Sequence, residues 1–391
     1  MKFLIIGNPE SRRSILFESA LRKSGVQSVD IVPHMDLLSG KTNLSKYLKP
    51  GVMIRIETSG ENERVERELI RLGASSEDDI LCETLTSEKY EKGLILHPRL
   101  WYKGFSEYLQ RIYSCVKSFN STVCKTEEVS FMNAPEEILK MFDKSLCHKM
   151  FRENNIRTAQ SLGNVASYDE LQSKMLEKKI FRVFIKLRYC AGASGIVAYQ
   201  WASERSLESA TTTVELTRKN GEVKLYNSLK IRKYTKQQDI KDIINCLCIE
   251  HVHVEKWIPK SGGSDNCFDA RFVVINKKAC HRIARFSSGP ITNLHLGNQR
   301  KVVDSSWISQ SIINEMEDTA EKAASLFPDS FYSGVDLILP RNSTKPVVIE
   351  INAFGDLLNN VEYKKRSTHQ YQTDEILKLR NNIVIPAYET C

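Results

Sequence analysis

The chain has 391 residues, 41% hydrophobic and 27% charged, with a formal net charge of +8, which describes an ordinary soluble globular protein of two or three domains. The basic excess fits an anionic ligand such as a nucleotide, but it is spread along the chain with no arginine-rich tail or zinc-finger spacing, which argues against a nucleic-acid partner. No apolar run approaches membrane-spanning length and Met1–Ile6 is too short for a signal-peptide core, so the ten cysteines read as reduced thiols of a cytoplasmic protein without a membrane partner.

Lys2–Gly7 reads as a buried parallel strand, Gly7-Asn8-Pro9-Glu10 as a turn, Ser11–Lys23 as an amphipathic helix and Val29–Val32 as a second strand. This β-α-β opening implies a small doubly wound layer. Neither G-x-G-x-x-G nor G-x-x-x-x-G-K-[ST] occurs, so nothing specifies a nucleotide at this end. Arg12 and Arg13 sit at the start of the first helix, where free N–H groups favour anions. They are candidate contacts to an acidic substrate, set against the plainer reading of solvated helix charges. Val52–Glu57 is a further strand, and Arg55 within it is another candidate substrate contact. Thr58-Ser59-Gly60-Glu61 then caps a helix to Arg71. The aromatic and basic run from His97 to Phe105 either lines a cleft or packs the interior.

Asp143-Lys144 opens a helix through Phe151. Phe181–Lys186 is a strand ending on lysine, followed by the small-residue loop Ala191-Gly192-Ala193-Ser194-Gly195. A lysine supplies point charge, and small residues let backbone N–H groups approach phosphate oxygens, so the pair suits a phosphate cover; a plain hairpin loop is the alternative. Lys219-Asn220-Gly221 predicts a hairpin. Cys246-x-Cys248 and His251-x-His253 have spacings poorly suited to zinc. In the strand Phe268–Ile275, Asp269 and Arg271 share a face, and His281, Ile283 and Arg285 share one in the strand Ala279–Phe286. Arg271 and Arg285 on adjacent strands suit a phosphate clamp, or each pairs with a nearby acid.

Gly334–Leu339 and Val347–Ile351 read as the arms of a hairpin folded about Ser343, with Pro340–Pro346 as turn material. Asp336 and Glu350 are equidistant from that centre and so face each other, with Cβ atoms about 4.5–5.5 Å apart. Asn352 points to the same face. Two carboxylates that close repel unless a cation neutralises them, and an all-oxygen cluster suits Mg²⁺. The alternative is an ordinary hairpin whose acids face solvent.

Lys144, Lys186, A-G-A-S-G, V-E-K-W-I, D-A-R-F-V-V, Arg285, T-N-L-H-L-G-N, G-V-D and V-I-E-I-N follow one another in the order seen in ATP-grasp proteins. Over about residues 133–360 the chain resembles the RimK-type and glutathione-synthetase-like carboxylate–amine ligases of that superfamily. The G-N-P-x-x-R-R opening and the N-L-H-L-G-N run are similar to a bacterial subgroup. The resemblance implies an α/β (α+β) fold: an N-terminal parallel-sheet domain (1–132), a central subdomain with a lid loop (133–257) and a C-terminal subdomain with a magnesium site (258–391).

The resemblance also implies ATP and Mg²⁺, or Mn²⁺ in its place, as cofactors. Lys144 and Lys186 would reach the phosphates, Ser194 and Gly195 would form the lid, and Glu255, Lys256, Trp257 and Ile258 would meet the adenine. Asp336, Glu350 and Asn352 would hold the metal. Arg285, Arg271 and Lys186 would stabilise the transferred phosphate, with Asn293 and His295 near the acceptor. The expected reaction is ATP-dependent amide or peptide bond formation through an acyl phosphate, with ADP and phosphate released. The partners are a carboxylate and an amine, either of which a peptide or protein could carry. A kinase acting on the hydroxyl of an anionic compound and a non-catalytic ATP-binding partner are the competing readings. The sequence leaves the oligomeric state open.

Overall fold

The structure is a computed structural model and describes residues 2–60, 62–75, 91–190, 194–205, 207–219, 221–262, 267–292 and 299–383. Three sheets organise it. The first is parallel and contains β1 (Lys2–Ile6), β2 (Ser28–Val32), β3 (Val52–Ile56) and β4 (Ser130–Phe131), in the order β2-β1-β3-β4. The unbroken K-F-L-I-I run suits β1 because helices cover both faces of a parallel sheet. Phe3 and Ile5 pack with Phe17 and Leu21 of the helix Arg12–Lys23. Leu4 and Ile6 join Val65, Leu69 and Phe105 from the helices Glu63–Ala74 and Pro98–Asn120 on the opposite face.

Ser11 caps the first helix by accepting the N–H of Arg13. The cap of the helix Glu63–Ala74 differs from expectation. It is Asn62, whose Oδ1 accepts Val65 N at 3.3 Å, while Thr58–Gly60 forms a turn before it. Trp101 belongs to the packing, stacked on Phe105 and tilted against Phe142.

The second sheet holds β5 (Ser161–Gly163), β6 (Arg182–Leu187), β7 (Val197–Ala202), β8 (Leu207–Lys219), β9 (Glu222–Tyr234) and β10 (Val252–Lys256), in the order β5-β10-β6-β7-β8-β9. The helices Tyr168–Glu177 and Gln237–Ile249 give it a core of its own, through Leu171, Met175, Ile240, Ile243 and Leu247. Cys246 and Cys248 lie on the second of these helices and His253 on β10.

The third sheet is antiparallel, with β11 (Cys267–Ile275), β12 (Lys278–Ser287), β13 (Gln299–Val302), β14 (Tyr332–Ile338) and β15 (Val347–Asn352) in the order β13-β12-β11-β14-β15. Side chains alternate between its faces. Ala270, Phe272, Val335 and Leu337 pack on the helix Gln310–Ser325. Val273, Ile283 and Tyr332 meet the front domain and the helix Thr368–Ile383. The polar members of this second face look onto a cleft.

Candidate active site

A cleft of about 610 Å³ lies between the central and third sheets, with the front domain at one end. Ligand sites commonly span about 300–1,000 Å³. Strand register lays charges across its floor in two rows. Arg271 is paired with Asp336, and Asp336 with Glu350. One step along, Asp269 is paired with Arg285 and Arg285 with Arg300. Asn352 is paired with Gly334, two residues beyond Glu350. The ladder slips between Asp336 and Leu337, leaving Ile349 as the extra residue, and its carbonyl is 3.5 Å from Lys186 Nζ.

Asp336 is 3% exposed. Arg271 Nη2 reaches its Oδ2 at 2.7 Å, Arg271 Nε bonds its Oδ1, and Arg285 Nη2 stands 3.0 Å from that oxygen. Burial alone would raise the carboxyl pKa. The two guanidiniums outweigh it and hold Asp336 at about 2, so it is ionised. Arg271 also contacts Asp356 at 3.1 Å, and Arg285 Nε contacts Asp269 at 2.6 Å.

Two lysines come from the opposite wall. Asp143 caps the helix Lys144–Glu153 by accepting Leu146 N, and Arg188 clamps it with bonds of 2.7 and 2.6 Å. Because Arg188 directly follows β6, this clamp brings Lys144 beside the strand that carries Lys186. Lys144 Nζ lies 3.1 Å from Glu350 Oε1 and bonds the carbonyl of Cys190. Lys186 Nζ lies 2.5 Å from Glu255 Oε1. Burial acts to lower the Lys186 pKa, but the charges of Glu255, Glu350 and Asp336 leave it above the ordinary value, so the ammonium persists. Behind Glu255, His253 is buried and pushed down to about 3, by burial first and then by His148, Lys186 and Lys144.

The other end of the cleft is apolar, lined by Phe184, Ile196, Ile258, Ile291 and Ile338. Glu255, Lys256 and Ile258 border it, and Ser194 lines its edge. Gly195, at φ +64°, is buried against Leu187 and Leu247. Residues 191–193 of the loop lie outside the described residues, as do Asn293 and His295.

Two expected contacts are corrected. Trp257 does not line the cleft: its ring packs 5.4 Å from Phe184 and under the Arg182 guanidinium at 4.0 Å, supporting the wall from behind. Arg55 is fully buried, 2.5 Å from Glu57 Oε1 and 2.8 Å from Gln372 Oε1, between the rings of Phe17 and Tyr332. It joins the front domain to the C-terminal helix and cannot reach a ligand. Arg12 and Arg13, in contrast, line the front of the cleft.

Several lining residues escaped the sequence reading. Lys260 Nζ contacts Thr292 Oγ1 at 2.7 Å and Asp269 at 3.3 Å. A bridge to Pro340 places it there, and nothing local to Lys260 announces that bridge. Asp269 was legible as a neighbour of Arg271 by strand alternation, whereas Asp356, Arg300 and Asn359 carried no signal.

In fold, the chain is similar to the ATP-grasp ligase PsnB complexed with precursor peptide PsnA2 and AMPPNP, with a TM-score of 0.53, 12% identity and 97% of each chain covered. It is similar to the D-alanine–D-alanine ligase of Bacillus anthracis at TM-score 0.52 and 10% identity, with 98% of each chain covered. It is also similar to the macrocyclase MdnC bound with precursor peptide MdnA from Microcystis aeruginosa MRC, at 0.53 and 10%, over 97% of this chain and 100% of that one. The chain has the ATP-grasp fold. No protein-family model and no curated protein sequence matches it, and at these identities the likeness is one of architecture.

The cleft between the two sheets has the size and lining to fit a nucleotide, with an apolar slot bordered by Phe184, Ile258 and Ile338 and with Lys144 and Lys186 on its wall. The donor set also fits a hard cation. Asp336 and Glu350 supply carboxylate oxygens, and Asn352 spends its amide N–H on Gly334 O at 3.4 Å, which leaves its oxygen as a donor atom. Among the described residues no group of three His, Cys, Asp or Glu is placed to hold a metal.

Proposed function

We propose that the protein is an ATP-dependent ligase that joins a carboxylate to an amine and releases ADP and phosphate. The observation that carries this reading is the meeting of Lys144 with Glu350 at 3.1 Å, beside the Asp336–Glu350 pair. It sets a candidate phosphate-binding cation, at the head of the helix Lys144–Glu153, against a candidate metal carboxylate of β15. ATP-grasp ligases among the similar structures add weight to it.

In this reading, the substrate carboxylate oxygen bonds to the γ-phosphorus and the bond to ADP breaks. The amine nitrogen then attacks the acyl carbon, phosphate leaves, and the amine proton passes to solvent. Mg²⁺ on Asp336, Glu350 and Asn352 would neutralise phosphate charge. Lys144 and Lys186 would bind phosphate oxygens, and Arg271 and Arg285 would turn from Asp336 toward the transferred group, where electrostatic stabilisation matters most. The apolar slot of Phe184, Ile258 and Ile338 would take the base. A peptide partner is compatible with the open cleft and with the precursor peptides bound by PsnB and MdnC.

The test is nucleotide turnover with Mg²⁺ and pooled carboxylate and amine acceptors, following ADP and free phosphate separately. Equal release of both, lost in Lys186→Ala, supports the ligase. ADP without free phosphate replaces it with a kinase, and a folded protein that binds no nucleotide ends the proposal.

A further inference from the structure

Most of the basic side chains around Asp336 and Glu350 stand against an acid. Lys144 has Glu350, Lys186 has Glu255, Lys260 has Asp269, and Arg271 and Arg285 share Asp336. At the front of the cleft this pattern stops. Arg12 Nη2 lies 3.0 Å from Asn359 Oδ1, and Arg13 Nη1 lies 2.6 Å from the carbonyl of Phe354. Both partners are neutral, and among the described residues no carboxylate pairs with either guanidinium.

Both partners also belong to one loop. It continues β15, and Phe354 is only two residues past Asn352, so Arg13 is tied to the segment that carries a candidate metal ligand. The loop is held from the far side as well. The buried Asn133 donates to Ala353 O at 2.7 Å, and Thr368 Oγ1 donates to Leu357 O at 3.0 Å. Each arginine has five N–H donors in a planar fork, far more than one carbonyl or amide oxygen uses. Arg12 is exposed and Arg13 half-buried; for Arg13 a positive charge drawn partly out of water without a counter-ion is unfavourable until an anion joins it, and on both residues the planar fork favours an oxyanion with matching oxygens.

We propose that Arg12 and Arg13 form a site for a second anionic group on the carboxylate substrate. The acyl donor is therefore a diacid, one acidic group held at the Asp336–Glu350 end and the other on the two arginines. This deepens the ligase reading and rests on it for the role of the bound acid, but the site itself is testable alone.

The experiment is calorimetric titration of the full chain, with and without ADP and Mg²⁺. The probes are a series from succinate to pimelate, monocarboxylates of equal length, and the pair L-glutamate and O-phospho-L-serine. Diacids should bind at least about tenfold more tightly than monoacids, and Arg12→Gln and Arg13→Gln should each remove about tenfold of that affinity, the scale of one charge-assisted hydrogen bond. Arg13→Lys, which keeps the charge but loses the fork, should fall between. L-Glutamate binding more tightly than O-phospho-L-serine assigns the second group as a carboxylate, and the reverse assigns a phosphate. Diacids that bind no better than monoacids, or equally well in both Gln variants, overturn the site. Arginine-dependent diacid binding by a protein that binds no ADP would keep the site and end the ligase reading. ADP binding without diacid preference would do the opposite.

Discussion

Asp336 and Glu350 stand directly across from each other in the β14–β15 ladder, one residue before the register slips at Ile349. The two carboxylates are neutralised from different directions, Asp336 by Arg271 and Arg285 and Glu350 by Lys144. Replacing one of them by its amide leaves that balance with a surplus of positive charge and exchanges a charged candidate metal donor for a neutral, weaker one. Glu350→Gln should lower Mg²⁺-dependent nucleotide turnover by about 10²-fold, the usual effect of losing one preorganised electrostatic contact. Nucleotide binding measured in EDTA should change little. Turnover equal to that of the unaltered protein across a Mg²⁺ titration would remove Glu350 from the centre.

Arg55 and Glu57 form an ion pair with no exposure of either side chain. Removing one partner of such a pair strands the other charge, at a typical cost of about 3–5 kcal/mol. Arg55→Leu should lower the urea midpoint accordingly, while the fraction that stays folded keeps its ADP affinity. An unchanged midpoint would contradict the account of Arg55 as an internal strut, and lost ligand affinity in folded protein would return it to the site.

His34 is wholly buried, with Nε2 3.1 Å from Glu57 O and Nδ1 3.0 Å from the Tyr108 hydroxyl. A carbonyl only accepts, so Nε2 carries the proton and Nδ1 accepts from Tyr108. Burial lowers the ring's pKa from 6.5 to about 4. The unfolded chain therefore takes up a proton between those values that the native chain refuses. The stabilisation is complete above pH 6.5 and declines as pH falls toward 4, by about 1.4 kcal/mol per pH unit. His253, at about 3, acts in the same direction. Urea midpoints from pH 7 to pH 4 should show this slope, and His34→Gln should flatten it. A variant with an undiminished slope would exclude His34 as a source.

The helices Glu63–Ala74 and Pro98–Asn120 cross where Gly73 and Gly104 meet. A Cβ on Gly104 would collide with the carbonyl of Leu69, and one on Gly73 with that of Leu100. Since backbone atoms cannot swing aside, Gly104→Ala should destabilise the front domain by about 1–3 kcal/mol, the range for overpacking. Thermal melting is the check, and an unchanged Tm would mean that the helices can separate without loss.

Much of this structure was legible because it is local. The K-F-L-I-I strand, the helix opened by Asp143-Lys144 and the facing of Asp336 and Glu350 depend on residues close together in the chain, where strand alternation and cap chemistry settle the outcome. The order of the motifs from Lys144 to Asn352 pointed to the fold that the tertiary structure displays. Arg55 shows where such reasoning stops. A lone arginine in an apolar strand reads as a ligand contact until Gln372 and Tyr332, both about three hundred residues away in sequence, enclose it. Trp257 was turned from the cleft by its stacking with Arg182, and Lys260 was brought into it by a bridge from Pro340. Sequence alone determined which residues could face one another within an element. Only tertiary packing decided which long cationic side chains were enclosed, which found an acid, and which were left facing the cleft, because those outcomes depend on partners that chain proximity does not supply.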